Sequence, residues 1–153
     1  MAVDDNKYLV FKLGKETYGI PILKVKNIER GLDITYIPNT PRFVRGITNL
    51  RGKIIPIVDL KDKFGFGSTD YTSRTCIITL DVKTSNGIQT NGLMVDEVSE
   101  ILDISDGYIE PVPKYGSAQI DQEFMSGIGK INEKVIILLD IQKVLSDERA
   151  EAS

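Results

Sequence analysis

From Tyr8 to Leu13 the large apolar residues alternate as Leu9, Phe11 and Leu13, the period of a half-buried strand. Gly14-Lys15-Glu16 supplies a turn, and Thr17 to Ile20 reads as a returning strand. After Pro21, the spacing Ile22, Val25, Ile28 fits one or two helical turns, and a strand from Val25 onward fits nearly as well. Gly46 to Leu50 and Lys53 to Val58 bracket Arg51-Gly52 as a hairpin, and Pro56 inside the second run predicts an edge or bulged strand. Asp59 and Asp140 each stand between a strand-like run and a short apolar-spaced segment, so each is read as the N-cap of a short helix. Ser85-Asn86-Gly87 is a further hairpin turn, and Gly65 to Ser73, rich in turn formers, is read as a linker.

The pattern repeats. Shifted by 81 positions, Gly46-Ile47-Thr48-Asn49-Leu50-Arg51-Gly52-Lys53-Ile54-Ile55-Pro56-Ile57-Val58-Asp59-Leu60 falls on Gly127 to Ile141, with Gly, Ile, Lys, Ile and Asp identical and five more positions matched by type. Shifted by 73, Gly19-Ile20-Pro21-Ile22, Val25 and Ile28 fall on Gly92-Leu93-Met94-Val95, Val98 and Ile101. Two versions of one unit in the same order decide the architecture. Each unit is too short for a two-sided sandwich alone, which points to two small antiparallel barrels packed on each other. One domain is expected over residues 7–147, with about 7–65 plus the C-terminal segment as the first barrel, about 73–147 as the second, and 148–153 as a flexible tail.

Composition supports strands. The chain has 153 residues, of which 21 are Ile and 11 Val against 4 Ala, a β-branched excess that favours sheet over helix. It has no His, no Trp and one Cys, which removes His-dependent triads, Cys and His zinc sites and any intrachain disulfide. Cys76 lies in the strand-like run Thr75 to Leu80 and is expected to be core. The net charge of -3 does not invite nucleic acid. The longest apolar runs, such as Val135 to Leu139, are far too short to span a bilayer, and Met1-Ala2-Val3-Asp4-Asp5 is acidic where a signal peptide is basic, so a cytoplasmic protein without direct membrane insertion is expected.

No catalytic group, cofactor or metal site emerges. Gly65-Phe66-Gly67-Ser68 lacks the Lys of a phosphate loop, and Asp96, Glu97, Glu100 and Asp103 read as the solvated side of a strand. The more informative feature is Arg42, Arg45, Arg51 and Lys53 around the Gly46 hairpin, interleaved with Phe43, Val44, Ile47 and Leu50. Asn49-Leu50-Arg51-Gly52 sets an amide, an apolar side chain and a guanidinium fork on one turn, suited to a partner's carboxylates or carbonyls. The equivalent place in the second unit holds Lys130-Ile131-Asn132-Glu133, so the two faces are specialised.

Tyr18-Gly19-Ile20 with Ile22, Val25 and Ile28, then Ile37-Pro38-Asn39-Thr40-Pro41, the run Gly46 to Leu60, Gly92 to Val98 and Gly127-Ile128-Gly129 together resemble the CheW family of bacterial chemotaxis coupling proteins. The resemblance covers about Tyr8 to Leu145, and its most specific part is the Asn49-Leu50-Arg51-Gly52 hairpin. It implies an all-β fold of two five-stranded SH3-like barrels around a shared hydrophobic core, with short helices. It also implies a non-catalytic adaptor that links the cytoplasmic tips of chemoreceptors to the regulatory domain of the histidine kinase CheA, recruited to the inner face of the membrane through the receptors. Carried onto this chain, a receptor-binding groove falls on Ile22, Val25, Asn27, Ile28, Arg45, Gly46, Asn49, Leu50 and Arg51. A kinase-binding face falls on Met94, Val95, Asp96, Val98 and Tyr115, with the loop Glu110 to Tyr115 open to a second partner. Family members often carry Glu where this chain has Asn27. Two alternatives are a regulatory or binding module of another two-component system and a nucleic-acid-binding small barrel; steep weakening with salt would mark the latter.

Overall fold

Leu9, Phe11 and Leu13 lie together in the core, and the turn at Gly14 returns the chain as expected. The structure is a computed structural model that describes residues 6–113 and 122–145. Its strands are β1 (Lys7–Leu13), β2 (Glu16–Pro21), β3 (Val25–Glu29), β4 (Val44–Leu50), β5 (Lys53–Asp59), β6 (Cys76–Thr84), β7 (Gly87–Val95), β8 (Glu97–Asp103), β9 (Ile109–Glu110), β10 (Met125–Ile131) and β11 (Lys134–Leu139). Helix α1 (Leu60–Lys63) follows β5, and α2 (Ile141–Leu145) follows β11. The open reading of residues 22–28 resolves into both elements in series, one 3-10 turn at Ile22–Lys24 and then β3.

The strands form a six-stranded sheet in the order β8-β1-β2-β11-β10-β9 and a five-stranded sheet in the order β3-β6-β7-β5-β4. The sequence repeat is therefore not the folding unit. Hairpin β1-β2 of the first half joins β8 to β11 of the second, while β6-β7 of the second half joins β3, β4 and β5 of the first. The exchange is reciprocal to the residue. Ile57 of β5 pairs in parallel with Gly92 of β7, and Leu138 of β11 pairs in parallel with Gly19 of β2, so both shifts, 81 and 73, meet at each crossing. The Asp59 amide donates to the Phe43 carbonyl at 2.7 Å, and the Asp140 amide to the Phe124 carbonyl at 2.8 Å. Dividing the chain near residue 65 thus separates repeats rather than barrels.

Three apolar clusters follow from strand alternation. Val10, Ile104, Ile136 and Leu138 fill one barrel, and Ile55, Ile57, Ile77 and Met94 fill the other. Between the barrels lies the larger shared layer, including Leu9, Phe11, Tyr18, Cys76, Ile78, Leu93, Val95 and Leu139. Strands β1, β5, β6, β7 and β11 bury one face in a barrel and the other in the shared layer, which explains the consecutive apolar residues at 76–78 and 136–139. Pro56 is not on an edge strand, since β5 lies between β7 and β4. Pairing with β7 begins only at Ile57, so Pro56 faces Ile47 of β4 on one side and no ladder on the other, and the missing N–H is tolerated locally. The bulge expected there lies instead in β4, between Val44 and Gly46.

Tyr18 is fully buried in the shared layer, its ring stacked on Phe11 and tilted against Phe64. Among the described residues its hydroxyl has no hydrogen-bond partner, and burial first, with the Glu16 charge second, pushes its pKa up to about 12. An orphaned buried hydroxyl costs about 1–3 kcal/mol. Tyr18→Phe is therefore expected to stabilise the protein by about 1 kcal/mol in urea unfolding at pH 8. Because the folded pKa lies above the unfolded value, wild type should lose stability as pH rises from about 10 to 12, at up to about 1.4 kcal/mol per pH unit. The variant should lack that part of the decline. Lower stability of Tyr18→Phe at pH 8 would show that the hydroxyl is bonded in solution.

Candidate binding surface

The β4-β5 turn carries the most specific motif, and its backbone explains the residue choice. Arg51 (φ 53°) and Gly52 (φ 82°) are both left-handed, as the tightest right-twisted hairpins require. The Gly52 amide donates to the Asn49 side-chain carbonyl at 3.0 Å, fixing the turn from within. The equivalent turn on the other barrel has Asn132 (φ 49°) and Glu133 (φ 68°) at the same two places.

The arginine cluster does not present a set of free cations. Arg51 donates through both terminal nitrogens to Glu29 Oε2 at 3.3 Å, which leaves its side chain two-thirds exposed and aimed across the barrel mouth at β3. Arg42 pairs with the buried Asp62 at 3.0 Å. Arg45 donates one nitrogen to Asp59 Oδ2 at 3.1 Å and to the Thr69 carbonyl at 2.9 Å. Asp59 is fully buried and also accepts from the Thr69 amide, the Thr69 hydroxyl and the Asp62 amide. It caps α1 as expected and, beyond that, ties the 65–73 segment down, so that segment is more than a linker.

Strand β3 joins the candidate receptor residues. Ile22 and Val25 are half-buried against the shared layer, and Ile28, on the same side of β3, is 43% exposed. Asn27 and Glu29 lie on the opposite side of the strand, and Glu29 reaches Arg51. Asn49 is exposed, while Leu50 packs partly into the barrel interior. Arg45 and Gly46 serve the scaffold instead. Gly46 is buried at φ +147°, and a Cβ there would stand 2.1 Å from the Thr35 carbonyl oxygen.

The candidate kinase residues divide more sharply. Met94 and Val95 are fully buried, one in the barrel core and the other in the shared layer, so their side chains are withdrawn from any docking surface. Asp96 is not simply solvated. Its Oδ2 accepts the Gly14 amide at 2.6 Å and lies 3.8 Å from Lys61 Nζ, stapling the β1-β2 turn to α1. Val98 is half-buried against the shared layer, and Ile101, three residues on, is exposed. Tyr115 lies outside the described residues.

Glu29, the partner of Arg51, carries little signal in the sequence beyond a carboxylate two residues from Asn27 on the same side of a strand. Among the described residues, no group of three or more His, Cys, Asp or Glu could hold a metal ion, and no helix is long and apolar enough to cross a membrane.

Residues 7–149 match the CheW-like domain. The chain belongs to the CheW-like family. It is 43% identical over 143 residues to a chemotaxis protein CheW of Klebsiella aerogenes, covering 93% of this chain and 82% of that one. It is 32% identical over 149 residues to a probable chemotaxis protein CheW of Rhizobium etli, covering 97% and 93%. The scaffolding protein TtCheW of Thermoanaerobacter tengcongensis has a similar crystal structure, with a TM-score of 0.81 at 39% identity over 93% of this chain and 88% of that one. CheW-like proteins are chemotaxis scaffolds without catalysis, and this chain is one of them.

Proposed function

We propose that this scaffold couples the cytoplasmic tips of chemoreceptors to the regulatory domain of the histidine kinase CheA and is held at the inner membrane face through the receptors. A helical receptor segment would lay its apolar stripe along Ile22, Val25 and Ile28, with Asn27, Asn49 and Arg51 meeting its polar edge. The kinase would meet the second unit's strand β8, from Val98 toward Ile101, and Tyr115. The observation that carries the reading is the Arg51 fork, held in position by Glu29 yet two-thirds exposed, on one of two repeat-related turns, while the other carries Asn132-Glu133. Such asymmetry suits a protein with different partners on its two barrels.

Arg51→Ala tests it. The exposed pair with Glu29 contributes less than about 1 kcal/mol to folding, so the melting temperature should hardly move. Loss of an arginine anchor at an interface centre commonly costs about 2 kcal/mol or more, roughly thirtyfold in affinity. Ternary assembly with a receptor cytoplasmic fragment and the kinase should fail at concentrations that saturate wild type, and Arg51→Lys should restore it only in part because an ammonium lacks the fork. Unchanged assembly by Arg51→Ala would remove Arg51 from the interface.

A further inference from the structure

Between β3 and β4 the chain crosses the end of the five-stranded barrel as Leu32 to Tyr36. Thr35 and Ile47 exchange backbone hydrogen bonds at 2.8 and 2.9 Å, and the Thr48 hydroxyl donates to the Asp33 carbonyl at 2.7 Å, so this segment is held as firmly as a strand. Across from it, the Tyr71 hydroxyl donates to the Leu32 carbonyl at 3.2 Å. The two segments and Arg45 border an open cleft of about 440 Å³ lined by Leu32, Asp33, Ile34, Tyr36, Arg45 and Tyr71.

The charges in this cleft are unevenly matched. Arg45 is occupied by Asp59 and the Thr69 carbonyl, and its charge is balanced by that fully buried carboxylate. Among the described residues, no hydrogen bond or ion pair engages the Asp33 carboxylate, which is left as the unbalanced charge. Beside it Tyr36 is 73% and Tyr71 41% exposed, a large aromatic area to leave in water with Leu32 and Ile34 next to it.

We infer that this cleft receives a basic side chain of a partner polypeptide, an arginine in preference to a lysine. Ring faces attract a cation placed over them, and a planar guanidinium stacks on them while its fork reaches a carboxylate. Leu32 and Ile34 offer apolar contact for the methylene stem. Because the walls are fixed by Thr35, Thr48 and Tyr71, little ordering is needed on binding. The inference does not rest on the coupling of receptor and kinase, since none of the six lining residues except Arg45 belongs to the surface assigned to that role.

The test is titration of the full-length ¹⁵N-labelled protein with N-acetyl-arginine amide, with N-acetyl-citrulline amide as the neutral isostere. Saturable shifts are expected at the amides of Leu32 to Tyr36 and at Tyr71, with binding at least about fivefold weaker for citrulline. Asp33→Asn, which leaves the carbonyl bonded to Thr48 in place, and Tyr36→Ala should each weaken binding about threefold, and the double variant about tenfold. Absence of shifts in this segment, equal binding of citrulline, equal shifts around other exposed carboxylates, or full binding by the folded double variant would each overturn the inference.

Discussion

Asp59→Ala is expected to lower the stability of the protein by about 3 kcal/mol, because it removes the buried carboxylate that faces Arg45 and leaves the Thr69 amide and hydroxyl without their acceptor. Arg45 is 30% exposed and can recover some water, which holds the loss to the lower end of what broken buried ion pairs show. For a chain of this length that is a fall in Tm of roughly 6–12 °C. The repeat supplies the control. Asp140 occupies the same place on the other barrel and caps α2 through the Lys143 amide at 3.2 Å, but it is only half-buried and faces no arginine in the described residues. Asp140→Ala should therefore lose about 1 kcal/mol, the value of a cap alone. Calorimetry of the two variants side by side gives the difference, and adding Arg45→Met to Asp59→Ala should recover part of the loss. Equal melting temperatures for the two alanine variants would mean that the Arg45 and Thr69 contacts contribute nothing.

A larger loss, about 4 kcal/mol, is expected for Gly46→Ala. The added Cβ would stand 2.1 Å from the Thr35 carbonyl oxygen and 2.8 Å from its carbon, both backbone atoms, at φ +147°. The bulge in β4 would have to open and the two bonds between Thr35 and Ile47 would break. Gly127, its repeat counterpart, meets at closest range the side-chain methyl of Ile109 at 2.8 Å and has no positive φ. Ile109 can turn away, so Gly127→Ala should lose about 1–2 kcal/mol. Chemical denaturation distinguishes the two. A Gly46→Ala protein as stable as wild type would show that the Thr35 crossing is not packed against β4.

The parts of this molecule legible in its sequence are those fixed over short range. A cap needs an Asp and an amide three residues on, and a tight hairpin needs two left-handed residues, so Asp59, Asp140 and the Arg51-Gly52 turn could be read directly. Alternation showed that Leu9, Phe11 and Leu13 share one face of β1. It could not tell that β1 and β7 are buried on both sides, and the kinase-binding face that the resemblance implies at Met94 and Val95 falls on core. Nor does periodicity name a strand's neighbour. The repeat revealed two units, while the parallel pairs Ile57 with Gly92 and Leu138 with Gly19, which exchange halves between barrels, depend on contacts far apart in the chain. The arginine cluster shows the same limit. Counting charges around the Gly46 hairpin gave four cations, whereas Arg42, Arg45 and Arg51 meet acids 20, 14 and 22 residues away, with Arg42 and Arg51 still largely exposed.

Coupling requires that one molecule of this scaffold hold receptor and kinase at the same time. The direct measurement is receptor-dependent CheA activity across a wide titration of this protein at fixed receptor and kinase. A bridging adaptor raises activity and then lowers it in excess, because each partner becomes saturated separately, and Arg51→Ala should give a flat low curve. A wild-type curve that rises to a plateau and stays there far beyond the partner concentrations would contradict bridging.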